Sequence, residues 1–189
     1  MINGILLGGG TASRFGGDKL LYPLEDGVAI GAHAARNLIA AGLDVVAVVK
    51  PGDFPLYEMF EQEGCSVTFC PYAGRGMGAS LAHGVEFFRN ADGWVVALGD
   101  MPRIRPDTIR SVIQALAEGA AIVAPVYRGE RGHPVGFGAQ FRSELMALSG
   151  DSGARSILER HQDKIRLIDC DDPGVLFDVD RKDDLGGPV

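Results

Sequence analysis

The chain alternates between two hydrophobic patterns. Short apolar runs are typical of buried β-strands, and the longer stretches between them carry apolar residues three and four positions apart, as amphipathic helices do. Strands are predicted over Asn3–Leu7, Val45–Val49, Ser66–Phe69, Trp94–Leu98, Ala121–Pro125 and Arg166–Asp169. Helices are predicted over Ile30–Ala41, Leu56–Gln62, Ala79–Phe88, Asp107–Glu118, Gln140–Leu148 and Gly153–His161. The pattern also allows a further, antiparallel strand over Pro134–Gly138.

This alternation predicts the fold class. Strands that alternate with helices favour an α/β protein with a mostly parallel sheet and helices on both faces. We therefore expect a single-domain, Rossmann-like three-layer α/β/α sandwich over residues 1–185, followed by a flexible tail over residues 186–189. In such sheets ligands bind beyond the carboxyl ends of the strands, so the loops that follow the strands are where chemistry is expected.

The net charge of −7 narrows the range of partners. A nucleic-acid backbone or an anionic membrane attracts a positive surface, so we expect neither as a partner. Apolar runs such as Trp94–Leu98 are too short to span a membrane, and the N-terminus carries no basic leader with a cleavage site. The three cysteines form no CxxC pair, which suits neither a disulfide framework nor a zinc site. We expect a cytoplasmic, unprocessed protein.

The loop after the first strand is rich in glycine and carries two cations. Gly8, Gly9 and Gly10 allow backbone N–H groups to approach an anion. Arg14 and Lys19 add positive charge for phosphate oxygens. The combination favours phosphate binding over an ordinary surface turn.

Two familiar nucleotide motifs do not fit this loop. A Walker loop needs Ser or Thr directly after its lysine, whereas Leu20 follows Lys19. The dinucleotide fingerprint needs glycine where Ser13 stands and an acidic residue at the end of the second strand, where Lys50 stands. A P-loop NTPase is therefore disfavoured, and a nicotinamide or flavin enzyme is kept as an alternative.

Carboxylates follow the fourth predicted strand and recur near the C-terminus. Asp100 stands at the mouth of the sheet, where it suits a hard cation, and Asp107 is the nearer candidate for capping the next helix. On an extended segment Asp178 and Asp180 point to the same side, so one of them could complete a magnesium site with Asp100.

Three further loops are more polar and richer in glycine than folding demands. Gly74–Ser80 opens a helix and offers backbone N–H groups and a hydroxyl to a base or a ribose. Gly150–Arg155 offers a similar, anion-friendly helix start. His133 stands between a glycine and a proline, and it is the histidine for which we predict a functional role.

At these residues the chain resembles the MobA-like NTP transferases, the family of the molybdenum cofactor guanylyltransferases and cytidylyltransferases. Members carry L-A-G-G or L-A-A-G, then x-S-x-R-M-G and a lysine, followed by the motifs G-M-S/A-x-S, G-D-x-P, G-H-P and G-D-x-G-A-R. In this chain they stand, in the same order, as Leu7–Gly16 with Lys19, Gly76–Ser80, Gly99–Pro102, Gly132–Pro134 and Gly150–Arg155. The C-terminal D-I-D-T-P-E-D-L motif matches residues 178–185, where Arg181 and Lys182 replace Thr-Pro and put the local turn in doubt.

The resemblance implies a nucleotide-diphospho-sugar transferase-like fold and assigns roles to individual residues. Lys19, Arg14 and Asp100 would be catalytic. Asp100 and Asp180 would bind Mg²⁺. The nucleotide would be bound by Leu7, Gly8, Gly9, Gly10, Thr11, Ser13, Arg14, Lys19, Gly76, Met77, Ser80 and Asp100. The acceptor would be bound by His133, Gly150, Asp151 and Arg155.

The implied activity is the Mg²⁺-dependent transfer of a nucleoside monophosphate from an NTP to a small phosphorylated acceptor, with release of pyrophosphate. Molybdopterin is the first candidate acceptor, and a molybdoenzyme is a candidate partner. Gly9 matches the guanylyl form of the first motif, whereas the later motifs are closer to the cytidylyl branch, so CTP is favoured and GTP stays open. The alternatives are a sugar-phosphate or other metabolite nucleotidyltransferase and a non-catalytic module that binds or delivers the cofactor.

Overall fold

The computed structural model describes residues 1–8 and 18–186 of the chain. Within these residues, eight strands form one sheet: β1 (Ile2–Leu7), β2 (Val45–Val49), β3 (Ser66–Phe69), β4 (Gly93–Leu98), β5 (Ile122–Tyr127), β6 (Glu130–Arg131), β7 (Val135–Gly138) and β8 (Ile165–Asp169). The α-helices of the same ranges are α1 (Ile30–Ala40), α2 (Phe54–Gln62), α3 (Met77–Phe87), α4 (Pro106–Ala117), α5 (Arg142–Met146) and α6 (Arg155–Arg160). None of these helices has both the length and the apolar composition of a membrane span.

The sheet is mostly parallel and has the order β3-β2-β1-β4-β7-β5-β6, with β8 paired to the other edge of β5. The strands β3, β2, β1 and β4 run parallel, and so do β5 and β8. Strand β7 runs antiparallel to both β4 and β5, which confirms the strand direction allowed over Pro134–Gly138. This insertion leaves the carboxyl ends of β1, β2, β3 and β4 together at one edge of the sheet.

Alternate strand residues supply two separate hydrophobic layers. On one face, the side chains of Leu6, Ala47 and Val95 join the core formed with α1, α2 and α4. On the other face, Ile5 and Val96 join the core formed with α3, α5 and α6. Successive side chains of a strand point to opposite faces, so apolar residues at every position of a strand require helices on both sides. The predicted three-layer α/β/α sandwich is confirmed.

The helix boundaries differ from the prediction mainly after β7. The helix predicted over Gly153–His161 begins only at Arg155, because Gly150 and Gly153 have positive φ and residues 151–154 form turns. The helix predicted over Gln140–Leu148 is a 3-10 turn, Ala139–Phe141, continued by α5. The predicted tail lies outside the described residues except for Gly186, which ends a 3-10 helix over Lys182–Gly186.

Candidate functional site

The first predicted phosphate loop leaves the sheet beside the Asp100 turn. β1 and β4 pair in register up to Leu7 and Leu98, and the N–H of Gly99 donates to the Leu7 carbonyl at 3.0 Å. Leu7 is buried, so its side chain belongs to the core and only its backbone borders the site. Gly8 also leaves no room for a side chain, since a Cβ there would lie 2.9 Å from Cε2 of Phe60.

Most of the first loop is outside the part of the chain that the structure describes. Its predicted residues Gly9, Gly10, Thr11, Ser13 and Arg14 all fall in the range 9–17. Their assignment to the nucleotide stays a prediction.

Lys19 brings two of the predicted carboxylates together. Its Nζ donates to Oδ2 of Asp100 at 2.8 Å and lies 3.6 Å from Oδ1 of Asp180. The Lys19 side chain is 13% exposed and that of Asp100 25%, so this ion pair is largely shielded from water. Asp180 is more open, at 56%. One positive charge from the N-terminal part of the chain therefore lies between a carboxylate from its middle and one from its C-terminal part, at the carboxyl edge of the sheet.

The C-terminal segment reaches this edge through backbone hydrogen bonds. The N–H of Val179 donates to the Asp100 carbonyl at 2.9 Å, and the Val179 side chain is fully buried. Asp184 closes the turn in which Arg181 and Lys182 replace Thr-Pro. Its Oδ2 accepts hydrogen bonds from the N–H groups of Asp180 and Arg181 at 2.9 and 2.7 Å. A groove beside this turn is lined by Leu176, Phe177, Asp178, Asp180, Arg181 and Asp184.

Lys19, Asp100, Asp178 and Asp180 form a charge cluster with more negative than positive charge. Burial raises the pKa of Asp178, the charges of Asp180 and Asp100 raise it further, and Lys19 only partly offsets them. In the described ranges, no three His, Cys, Asp or Glu side chains converge closely enough to hold a metal by themselves. Mg²⁺ in nucleotide enzymes is usually held by one or two carboxylates together with water and substrate phosphates. Asp100 and Asp180 fit such a site, because both offer hard oxygen ligands to the same positive charge.

The loop predicted to bind the base is in backbone contact with the loop predicted to bind the acceptor. The N–H of Gly78, in the first turn of α3, donates to the Gly150 carbonyl at 2.8 Å, and the N–H of Gly150 donates to the Arg75 carbonyl at 2.8 Å. Gly76 has φ of 100°, and a Cβ there would collide with the Gly150 backbone and with Asp151. The two loops therefore form one unit at the N-terminus of α3.

The side chains of this unit differ in their access to solvent. Met77 is 38% exposed and lies beside Gly153, whereas Ser80 is only 2% exposed and faces the interior. Asp151 is exposed. Arg155 is also exposed, and its Nε donates to Oε1 of Glu159 at 2.8 Å, so its charge is already paired.

His133 lies on the Asp100 side of the edge. Its backbone N–H donates to the Val175 carbonyl at 2.9 Å, and its Nδ1 is buried without a hydrogen-bond partner in the described structure. Burial lowers the pKa of His133, with the Asp100 charge opposing that shift and Arg131 adding to it. His133 is therefore neutral at neutral pH, which suits hydrogen bonding better than charge neutralisation.

Asp172, which the sequence analysis does not predict as a site residue, is buried and connects the C-terminal segment to the start of α4. Asp172 is 2% exposed, and it accepts hydrogen bonds from the N–H of Arg105 at 2.8 Å, the hydroxyl of Thr108 at 2.7 Å and the N–H of Gly174 at 3.0 Å. It occupies the capping role expected of Asp107, which instead pairs with Arg110 on the surface. The Asp-Pro-Gly sequence at 172–174 signals a turn, but only the fold reveals its contact with α4.

Comparison with known proteins adds family information to this geometry. The MobA-like NTP transferase domain matches residues 4–165. Nicotine blue oxidoreductase of Paenarthrobacter nicotinovorans is 27% identical over 188 residues, covering 95% of this chain and 92% of the relative. Phosphoenolpyruvate guanylyltransferase of Sphaerobacter thermophilus is 30% identical over 182 residues, 92% and 82% of the two chains. A probable molybdenum cofactor guanylyltransferase of Thermococcus sibiricus is 32% identical over 120 residues, 64% and 58% of the two chains.

Solved structures show the same architecture. The crystal structure of Rv0371c from Mycobacterium tuberculosis H37Rv matches with a TM-score of 0.84 and 28% identity, covering 97% of this chain and 94% of that one. A complex of that protein with manganese matches with a TM-score of 0.77 and 25% identity, over 97% and 95%. The chain belongs to the MobA-like NTP transferase family.

Proposed function

We propose that this chain transfers a nucleoside monophosphate from CTP or GTP to a small phosphorylated acceptor, with Mg²⁺ as cofactor and pyrophosphate as the second product. The observation that carries the proposal is the position of Lys19, between Asp100 and Asp180 at the carboxyl edge of the sheet. A cation held between carboxylates, close in sequence to a run of glycines, suits a nucleoside triphosphate better than an uncharged ligand.

The chain's own residues would bind and neutralise the reacting phosphates. Asp100 and Asp180 would hold the metal ion, which when bound would neutralise the triphosphate and orient its α-phosphate. The Lys19 ammonium, already at this edge, would add charge at the phosphate oxygens. In the reaction, an oxygen of the acceptor's phosphate forms a bond to the α-phosphorus, the bond from that phosphorus towards the β-phosphate breaks, and pyrophosphate leaves.

This reaction needs no protein base. A phosphate monoester has its second pKa near 6, so it is already largely a dianion at neutral pH. The half-buried, neutral imidazole of His133 agrees with this chemistry, because a hydrogen-bonding group is enough at the acceptor. We place the acceptor on the side of His133 and the nucleobase near Met77, at the N-terminus of α3.

We assign the acceptor and the nucleobase of the donor by similarity to named relatives. Molybdopterin is the first candidate acceptor because a relative at 32% identity is named a probable molybdenum cofactor guanylyltransferase. Two relatives are named guanylyltransferases, which favours GTP, whereas the later motifs of this chain resemble the cytidylyl branch. CTP and GTP are therefore the two donors to compare. A phosphoenolpyruvate guanylyltransferase among the relatives makes small phosphorylated metabolites the second class of acceptor.

A redox function is the second candidate, because a relative that matches 95% of this chain is named an oxidoreductase. Against it, hydride transfer has no need of the Asp100 and Asp180 pair, and Lys50 stands where a dinucleotide fold places its acidic ribose ligand. The charge cluster favours the transferase.

One panel of assays separates these candidates. The full chain with Mg²⁺ is mixed with CTP, GTP, ATP or UTP, with and without molybdopterin, and pyrophosphate is measured; in parallel, consumption of NADH and NADPH is followed with quinone-like dyes. We expect molybdopterin-dependent pyrophosphate release with CTP or GTP alone. Release only with phosphoenolpyruvate or a sugar phosphate would replace the acceptor. Nicotinamide oxidation without pyrophosphate release would contradict the proposal, and binding without either reaction would indicate a delivery module.

A further inference from the structure

The segment that carries Asp180 crosses the carboxyl edge as a strap, defined here as residues 172–180. It contains a short 3-10 helix, Pro173–Leu176, and belongs to no strand. A segment outside the sheet is held in place only by individual contacts, so the position of Asp180 depends on where the strap is attached.

The first attachment is the carboxylate of Asp172. Its Oδ2 accepts the N–H of Arg105 and the hydroxyl of Thr108, and its Oδ1 accepts the N–H of Gly174. The first two donors lie at the start of α4, where backbone N–H groups lack helical partners and the helix dipole favours a negative charge. A buried carboxylate is costly unless hydrogen bonds satisfy it, and these three bonds to one 2% exposed side chain meet that need.

The same attachment also fixes the turn that carries Asp100. That turn leads directly into α4, whose N-cap residue is Arg105. Gly174 lies so close to the Arg103 carbonyl that a Cβ there would collide with it. Asp172 therefore fastens the strap to the end of the Asp100 turn, and the Val179 hydrogen bond to the Asp100 carbonyl fastens it at the beginning.

We propose that Asp172 is a positioning residue of the metal site: by joining the strap to the N-terminus of α4, it sets the separation between the carboxylates of Asp100 and Asp180. Asp172 itself is buried behind the edge and would touch neither metal nor substrate. The metal part of this inference rests on the proposed function, whereas the positioning part concerns the chain alone.

The test compares Asp172→Asn with Asp107→Asn in the full-length chain. Both variants remove one carboxylate from the first turn of α4 or its cap, but Asp107 is exposed and pairs with Arg110, away from the strap. Two quantities are measured: hydrogen–deuterium exchange of the metal-free protein, resolved for residues 173–180, and Mn²⁺ affinity by calorimetry. Should Asp172→Asn fail to fold, Thr108→Val removes one donor to the same carboxylate and keeps the side-chain shape.

For Asp172→Asn we expect faster exchange confined to the strap and about tenfold weaker Mn²⁺ binding, the lower end of the effect of losing an outer partner of a metal ligand. Asp107→Asn should match the wild type in both. Unchanged strap exchange in the folded variant, or acceleration spread evenly over β1 and β2, would overturn the positioning role. If the wild type binds no Mn²⁺ even with CTP or GTP present, the proposed metal site fails, and strap exchange still decides the role of Asp172.

Discussion

At the residue scale, the site depends on charged side chains that lie close together and are partly shielded from solvent. Lys19 is shielded by the fold and binds Asp100, a residue far from it in sequence. The sequence alone predicts that Lys19 and Asp100 lie at one edge, because each is in the connection that follows a parallel strand. It predicts only that Asp178 or Asp180 could join Asp100 there. It could not choose between Asp178 and Asp180. The structure turns Asp180 towards Lys19 and leaves the Asp178 side chain exposed, close enough to Asp180 for their charges to interact.

His133 should make the free energy of unfolding depend on pH. Its pKa is lowered in the folded state, so the unfolded chain binds the proton more readily below the ordinary histidine pKa of about 6.5. The stability linked to neutral His133 is complete above that pH and is lost as the pH falls through it. We expect wild type to lose more free energy of unfolding than His133→Gln between pH 7.5 and pH 5.5, measured by urea denaturation. Parallel curves for the two proteins would contradict a lowered pKa of His133 in the folded state.

At the scale of elements, strands were easier to predict than helix ends. β2 is buried at every position, and an unbroken run of valine and alanine is typical of a strand in a sheet covered on both faces. The sequence pattern does not predict the start of α6, because Gly150 and Gly153 resemble a helix start but have positive φ and stand in a turn region. Local patterns specify burial well, whereas they define the first and last residues of a helix less sharply.

The contact between α3 and β1 yields a prediction for a single methyl group. Gly84 is buried in α3, and a Cβ there would lie 2.6 Å from Cγ2 of the fully buried Ile5. Alanine favours a helix over glycine by about 1 kcal/mol, but overpacking a core usually costs about 1–3 kcal/mol. We expect Gly84→Ala to lower the free energy of unfolding by about 1 kcal/mol. Chemical denaturation measures it.

Gly74→Ala is the control for the added methyl group, at a position in the 3-10 helix Ala73–Arg75. No atom lies within 4 Å of a Cβ at Gly74, so the extra methyl group has room. Its free energy of unfolding should stay near that of wild type. A Gly84→Ala variant more stable than wild type would show that helix propensity, rather than close packing of α3 on the sheet, decides the glycine.

At the scale of the whole molecule, the site is assembled from segments that meet only after folding. The hydrogen bonds between Asp172 and the start of α4 join residues separated by more than sixty positions, and no local pattern in the sequence predicts them. The contact of the α3 start with Gly150 likewise joins two loops that sequence reasoning treated as separate. Motif order could indicate the family and the edge of the sheet, but not which buried groups hold the edge together.

We propose that Asp100 and Asp180 together bind the metal ion that nucleotidyl transfer requires. The most direct measurement is Mg²⁺-dependent pyrophosphate release, with the donor and acceptor that wild type uses, by Asp100→Asn, Asp180→Asn and the surface control Asp107→Asn. We expect turnover to fall by about 100-fold or more in the first two variants, as for loss of one group that stabilises the transition state, and to stay at the wild-type level in the control. All three should keep the wild-type circular dichroism spectrum. Wild-type turnover by folded Asp100→Asn would contradict a metal-binding role for Asp100.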